Sequence, residues 1–416
     1  MLHGRGLVVA FAVLLGLTLL GEPAPTALGL VEGLLVAGVA ALALAGVARA
    51  RLVRAGRIGA AHASILVVVG GWCLSQLGAL ALGVVQGAAP AAAVRAAAPY
   101  LVFLPLAVAG PWLAEGTQRA TVRALVAGGL AHAIFLVALF ATGVQDILDL
   151  RAVFLGRTTL LDARTTVPLF LASAILPLAW LGRGRPALRV LALGLVLFSA
   201  AGALTTQTRS QLLAMAAGGL VFLPFATVHR ARWTGRPLRA AARRMALAVV
   251  LLAGLGATAV ATVPSLRVLA SAVALRTRSD QDNGRLANEW VPAVRQVSAT
   301  PAALALGIGA GHPFITAEGE ERTYVHNLGI YSLVYGGVLG VVATALLYLT
   351  AGVLLARRAW REDGLESAAL LALLAALAVY AQFFAVHKLL SYNLMLALIV
   401  QAAVPPVADR GAGATG

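Results

Sequence analysis

The chain has 416 residues, 60% of them hydrophobic and 12% charged, with a net charge of +16 and a mean hydropathy of +0.90. So apolar a chain cannot hide its surface in one water-surrounded core, which excludes a soluble globular domain and makes the bilayer its solvent. Its basic residues fall in short loops between apolar runs, so they report membrane orientation rather than nucleic-acid binding, and a single cysteine, Cys73, excludes a disulfide framework.

Crossing about 30 Å of hydrocarbon takes roughly 20 residues of helix. On that measure the sequence predicts twelve transmembrane helices, near 6–21, 27–48, 60–86, 98–114, 121–142, 165–182, 188–206, 210–228, 245–264, 327–355, 365–387 and 389–405. The expected fold is an all-α polytopic membrane protein, one integral membrane domain over 1–416. The first run follows Arg5 but lacks a small-x-small cleavage site leading into a soluble domain, so it is read as a helix and not as a signal peptide. Arginines alternate between the two faces. Arg49 to Arg57, Arg119 and Arg123, Arg183 to Arg189, the dense cluster from Arg230 to Arg244, and Arg357 to Arg361 all fall on one side. The positive-inside rule makes that side cytoplasmic, together with both termini.

Two outer segments are longer than links. One is 143–164. The other, 264–326, is a large loop between the ninth and tenth helices and is the only long polar stretch. Long loops in compact proteins are commonly functional. This one carries Arg276, Arg278, Arg285, Glu289 and Arg295, then Gly307-Ile308-Gly309-Ala310-Gly311-His312, and it closes on Arg322, Tyr324, His326 and Asn327. Between Asn283 and Val297 the apolar residues fall near helical spacing, which predicts a surface-lying amphipathic helix with Trp290 at headgroup level.

Several side chains here can carry chemistry. Arg209 follows the polar break Thr205-Thr206-Gln207-Thr208, on the outer side and at the hydrocarbon edge, where a charge needs either a route to water or an anionic partner. A guanidinium beside a helix N-terminus suits a phosphate. Arg285, with Arg276 and Arg278 just before it, offers a second guanidinium from a separate segment, and two of them suit a diphosphate. His326 stands where the loop re-enters the membrane, and an imidazole there can take a proton from a hydroxyl. The bland alternatives are a snorkelling Arg209, solvated loop arginines and an interfacial histidine. His312 is a weaker candidate, and Lys388 beside His387 reads as positive charge or a headgroup anchor. Asp280-Gln281-Asp282-Asn283-Gly284 has the look of the start of a calcium loop, but Val291 stands where the closing glutamate belongs, so no metal is expected.

These residues, in this order, resemble the superfamily of O-antigen ligases and Wzy-type O-antigen polymerases. Thr208-Arg209-Ser210 is similar to the family's Ser-Arg-Gly element, with two substitutions. Arg285 to Trp290, followed by the glycine-rich turn, is similar to its periplasmic-loop pattern. His326-Asn327, then Tyr331 and Gly336-Gly337-x-x-Gly340, is similar to its re-entry motif. The likeness covers about 190–345 in motif and the whole chain in topology. It implies a membrane glycosyltransferase of the GT-C type in the bacterial inner membrane, with a periplasmic active site and neither cofactor nor metal. Its donor would be a glycan on undecaprenyl diphosphate, and its acceptor the lipid A-core or a second lipid-linked glycan. Arg209 and Arg285 would hold the diphosphate and His326 would activate the acceptor hydroxyl. Gln207, Arg276, Arg278, Trp290, Arg322, Tyr324, Asn327 and Lys388 would line the substrate. A lipid-open cleft beside the glycines of the tenth helix would admit the prenyl tail. A polymerase is the alternative to a ligase, and a glycolipid transporter or flippase is the rival from another class.

Overall fold

The computed structural model describes residues 60–104, 122, 125–127, 171–181, 186–205, 209–262, 264, 267, 284–361 and 364–404. The expected spans 6–21 and 27–48, most of 121–142, and the outer segment 143–164 lie outside these residues. What is described is mostly helix, with one two-stranded hairpin.

Helix α1 (Ala60–Val85) contains no Asp, Glu, Lys or Arg. Its 26 residues reach about 39 Å at 1.5 Å per residue, longer than the hydrocarbon layer. After α2 (Pro90–Ala97) and a 3-10 turn (Ala98–Phe103) come α3 (Pro186–Thr205), α4 (Arg209–Thr234) and α5 (Leu238–Thr262). The loop contributes a π-turn (Leu286–Trp290), α6 (Val291–Val297), α7 (Pro301–Leu306) and the strands β1 (Phe314–Ile315) and β2 (Glu321–Arg322). Helices α8 (Leu328–Arg361), α9 (Leu365–Phe383) and α10 (Leu390–Ala403) follow, with a 3-10 turn (Ala385–Lys388) between the last two. Among the described residues, four helices, Ala60–Val85, Ser210–Thr234, Leu328–Arg361 and Leu365–Phe383, are long and apolar enough to cross a membrane.

Three helices run beyond their hydropathy boundaries. Helix α4 runs past 228 to Thr234, α5 begins at Leu238 before its apolar run, and α8 continues to Arg361. Hydropathy marks where the apolar stretch stops. Arginine is a good helix former, so the helix carries on through the basic cluster. The opposite happens at the end of α9: Phe384 is extended, and the helix stops at Phe383 instead of 387.

Helix α9 is the hub. Leu370, Ala372, Leu373, Ala376, Leu377 and Tyr380 are fully buried. At the crossing with α4, a side chain on Gly218 would press on Ile175 and the Ala372 carbonyl, the close approach that small residues permit between helices in lipid. Helix α1 meets α8 through polar contacts: Trp72 Nε1 donates to Thr344 Oγ1 at 3.3 Å, and Thr344 shares a hydrogen bond with Ser332 at 3.1 Å. Val67, Leu74, Leu220 and Leu349 face outward and exposed, as suits acyl chains.

Helix α8 is broken at Gly337 (φ 62°, ψ −159°). Loop helix α7 packs into the break so closely that a Cβ on Gly337 would strike the Ala305 carbonyl. At Gly337 the loop itself fills the space, whereas beside Gly336 it is open. The glycine-rich turn is likewise a packing device. Gly309, at φ +82°, lies against the backbone of Gly83, and Ala310 N donates to Ala79 O at 2.7 Å. The loop is thereby fastened to α1 and, through Ile308 N to Val334 O, to the N-terminal segment of α8. At the far end, Arg232 donates to Trp360 O and Arg358 to Ala402 O and Val404 O, which gathers two of the basic clusters at one end of the bundle.

Candidate active site

The segment Leu286–Val297 buries one stripe: Glu289, Ala293 and Val297, spaced four apart, are 1%, 0% and 0% exposed. A helix of period 3.6 puts these three on one face. One of them is a carboxylate, and an isolated buried charge is costly unless it is paired. Glu289 is paired three ways. One oxygen accepts the backbone N–H of His326, and the other lies 2.8 Å from His326 Nδ1 and 3.3 Å from Arg322 Nη1. Burial pushes this carboxyl up, but the hydrogen bonds and charge of His326 and the charge of Arg322 outweigh it, so Glu289 is held below the usual carboxylate range.

Local chemistry builds each partner into place. Gly284, at φ 42°, opens the turn, and Asn288 ties it to the hairpin: its carbonyl accepts from Ala317 N at 2.9 Å and its Oδ1 from Glu318 N at 3.1 Å. The hairpin pairs Phe314 with Arg322 and Ile315 with Glu321, which delivers the Arg322 guanidinium to Glu289 and to the exposed Glu320, 2.7 Å away. Asn327 caps α8, its Oδ1 accepting from Ile330 N at 2.9 Å. The cap fixes where the helix starts and so where His326, one residue earlier, stands.

The same cluster grips the C-terminus of α9. Asn327 Nδ2 donates to Gln382 O at 3.1 Å and Arg285 Nη1 to Phe383 O at 2.9 Å, two of the carbonyls a helix end leaves unpaired. The His326 ring lies edge-on to Tyr324 (5.2 Å) and Phe384 (6.0 Å). Lys388 Nζ sits 3.4 Å from the centre of the Tyr324 ring, a cation–π contact. His387 is fully buried against Tyr331, and burial, with the charges of Lys388 and His326, pushes its imidazole down to about 3.

Of the residues expected from sequence, Arg285, Arg322, Tyr324, His326, Asn327 and Lys388 thus gather around the α9 terminus. Trp290 is half-buried and packed against the core. Lys388 packs over the Tyr324 ring. Helix α3 is described to Thr205 and α4 from Arg209, and residues 206–208 between them, where the polar break is expected, lie outside what is described. The Arg209 side chain and residues Gln207, Arg276 and Arg278 lie outside what is described. His312 lies 2.9 Å, through Nδ1, from the carbonyl of its neighbour Pro313.

Glu289 is the functional candidate that sequence reasoning passed over. Its signal was present: a carboxylate at the first position of an otherwise apolar i, i+4, i+8 stripe. The arrangement is a histidine held by a buried carboxylate, 17% exposed at its side chain, with cationic Arg285, Arg322 and Lys388 close by. Such a group can exchange a proton beside an anionic substrate. Neither protein-family models nor curated proteins give a match to this chain. The functional reading therefore rests on the chemistry of the site.

Proposed function

We propose that this protein is a membrane glycosyltransferase of the O-antigen ligase type, working at the outer face of a bacterial inner membrane. It moves a glycan from undecaprenyl diphosphate to an acceptor hydroxyl, of the lipid A-core in a ligase or of a second lipid-linked glycan in a polymerase. The observation that carries this reading is the convergence of His326, paired to a buried carboxylate, with Arg285 on the α9 terminus, where the loop returns to an apolar helix. A hydroxyl attacking an anomeric carbon must lose its proton, and the diphosphate must leave as an anion. A histidine serves the first need and guanidiniums the second. Arg285 spends one N–H on Phe383 O, and a guanidinium has five. Arg209, at the start of α4, is assigned the second phosphate contact.

The test uses purified protein in lipid nanodiscs with a polyprenyl diphosphate-linked glycan and each acceptor in turn. Transfer is expected to one of them, and to be lost in H326A and R285A proteins that remain folded. Transfer at the wild-type rate in both variants would end the proposal. An ion-gradient-dependent movement of glycolipid without transfer would favour the transporter.

A further inference from the structure

The contacts of Glu289 specify the protonation of the histidine as well as its position. His326 meets the carboxylate twice, through its backbone N–H on one oxygen and through Nδ1 on the other, and Arg322 shares the second oxygen. A backbone N–H and a guanidinium can only donate. With these donors and the Arg322 charge on it the carboxyl is held below the usual carboxylate range and so ionised, and an ionised carboxylate can only accept. Nδ1 must then carry the hydrogen in the 2.8 Å contact. A neutral imidazole has one N–H, so the lone pair is left on Nε2, to which none of the described residues donates a hydrogen bond. We propose that Glu289 is a positioning residue that locks His326 in its Nδ1–H tautomer and keeps Nε2 as the proton acceptor of the transfer reaction.

This rests on the transferase reading above and completes its proton balance. The acceptor oxygen forms its bond to the anomeric carbon while its proton passes to Nε2. The bond from that carbon to the phosphate oxygen breaks, and the diphosphate leaves with the electron pair. The imidazolium so formed is stabilised by the Glu289 carboxylate, and its proton is later lost to solvent through the exposed part of the ring. Arg322 keeps Glu289 ionised throughout. The other titratable groups near the ring are Tyr324, from the loop, edge-on to it, and His387, from the 3-10 turn, which feels its charge, while Lys388 lies over the Tyr324 ring. None of them offers Nδ1 a carboxylate, so the assignment falls to Glu289 alone among the described residues.

Glutamine at this position separates the role from simple packing. It has the same shape but one oxygen and one NH2, facing donors on both sides. If the oxygen stays on the His326 backbone N–H, the NH2 faces Nδ1, which must then accept, and the ring proton moves to Nε2. The same tautomer error is the known consequence of the Asp-to-Asn exchange in the serine protease triad. E289Q is expected to lower kcat by roughly 10²–10⁴-fold with little change in the donor KM, the range a general base supplies. E289D, which restores two oxygens, is expected to recover part of the loss and the wild-type pH profile.

The direct readout is the 15N spectrum of ring-labelled histidine in the nanodisc-embedded protein, with the His326 signals assigned by their disappearance in H326A. A protonated Nδ1 and an unprotonated Nε2 near neutral pH, inverted in E289Q, are expected. A protonated Nε2 in the wild-type protein overturns the proposal even if E289Q fails to fold. So does an E289Q protein with wild-type kcat when H326A is inactive, which leaves the transferase reading standing. Activity retained by H326A removes both, since a base that is not needed has no tautomer to be set.

Discussion

The two ends of the helix bundle use arginine differently. At the basic end, Arg232 donates to Trp360 O at 2.8 Å and Arg358 to Ala402 O at 2.9 Å, both at the ends of helices. A cation near a helix C-terminus is favourable for the carbonyls and for the helix dipole. At the loop end, Arg285 makes the same kind of contact with Phe383 O, again at 2.9 Å. Taken alone, that bond is no more a sign of function than the other two. What sets the loop end apart is the carboxylate: Glu289, buried and ionised, bound to a histidine and to Arg322. A buried ion pair is weak evidence for stability, because desolvation offsets its attraction. A histidine partner at a partly exposed site points to proton transfer instead.

The comparison can be broken at several points, most sharply at His326. Replacing it with alanine is expected to cost at least about 10²-fold in transfer, the lower end of what a general base supplies. The measurement is single-turnover transfer by protein whose unfolding transition is unchanged. Arg285 comes next. If it is only a cap like Arg358, R285A will shift stability alone; with a phosphate contact as well, it is expected to lower transfer about 10²-fold, as loss of one charge-stabilising donor does. The kinetics of R285A beside R358A decide between these. R358A itself is expected to leave transfer within about twofold and to lower stability by roughly 1.5–3 kcal/mol, as loss of a hydrogen bond from a charged group does.

Acid gives a smaller but independent handle. The Glu289 carboxyl is held below its ordinary value in the folded protein, so the unfolded chain binds its proton first as pH falls. The stability it contributes is complete above the ordinary carboxylate value and is lost as pH drops below that value and through the lowered one. Unfolding followed from pH 7 down to pH 3 is expected to show a loss for the wild-type protein that is shallower in E289Q. A parallel loss in both would mean that Glu289 is not the ionised partner.

Much of the fold was legible in the sequence because lipid leaves little choice: an apolar run of about 20 residues has to be a helix. Helices α1, α3, α4, α5, α8, α9 and α10 all fall on expected spans. The ends were less legible, since Arg230 and Arg358 prolong helices that hydropathy cuts short. Glycines were the least legible. Gly309 and Gly337 look like part of a substrate loop and a cleft, yet each is small because another backbone touches it, and that neighbour is far away in the chain. Within the site, His326 and Arg285 stood out because charge is rare in so apolar a chain. Glu289 did not, because its partners, Arg322 and His326, lie more than thirty residues on and nothing local announces them.

A double-mutant cycle on Glu289 and His326, read by reversible unfolding near neutral pH, tests most directly whether the two act as one unit. E289Q, H326Q and the double variant are compared with the wild-type protein. The pair is expected to show a coupling energy of about 1.5–3 kcal/mol, the strength of a hydrogen bond to a charged group. Losses that add to within about 0.5 kcal/mol, as for independent sites, would contradict it.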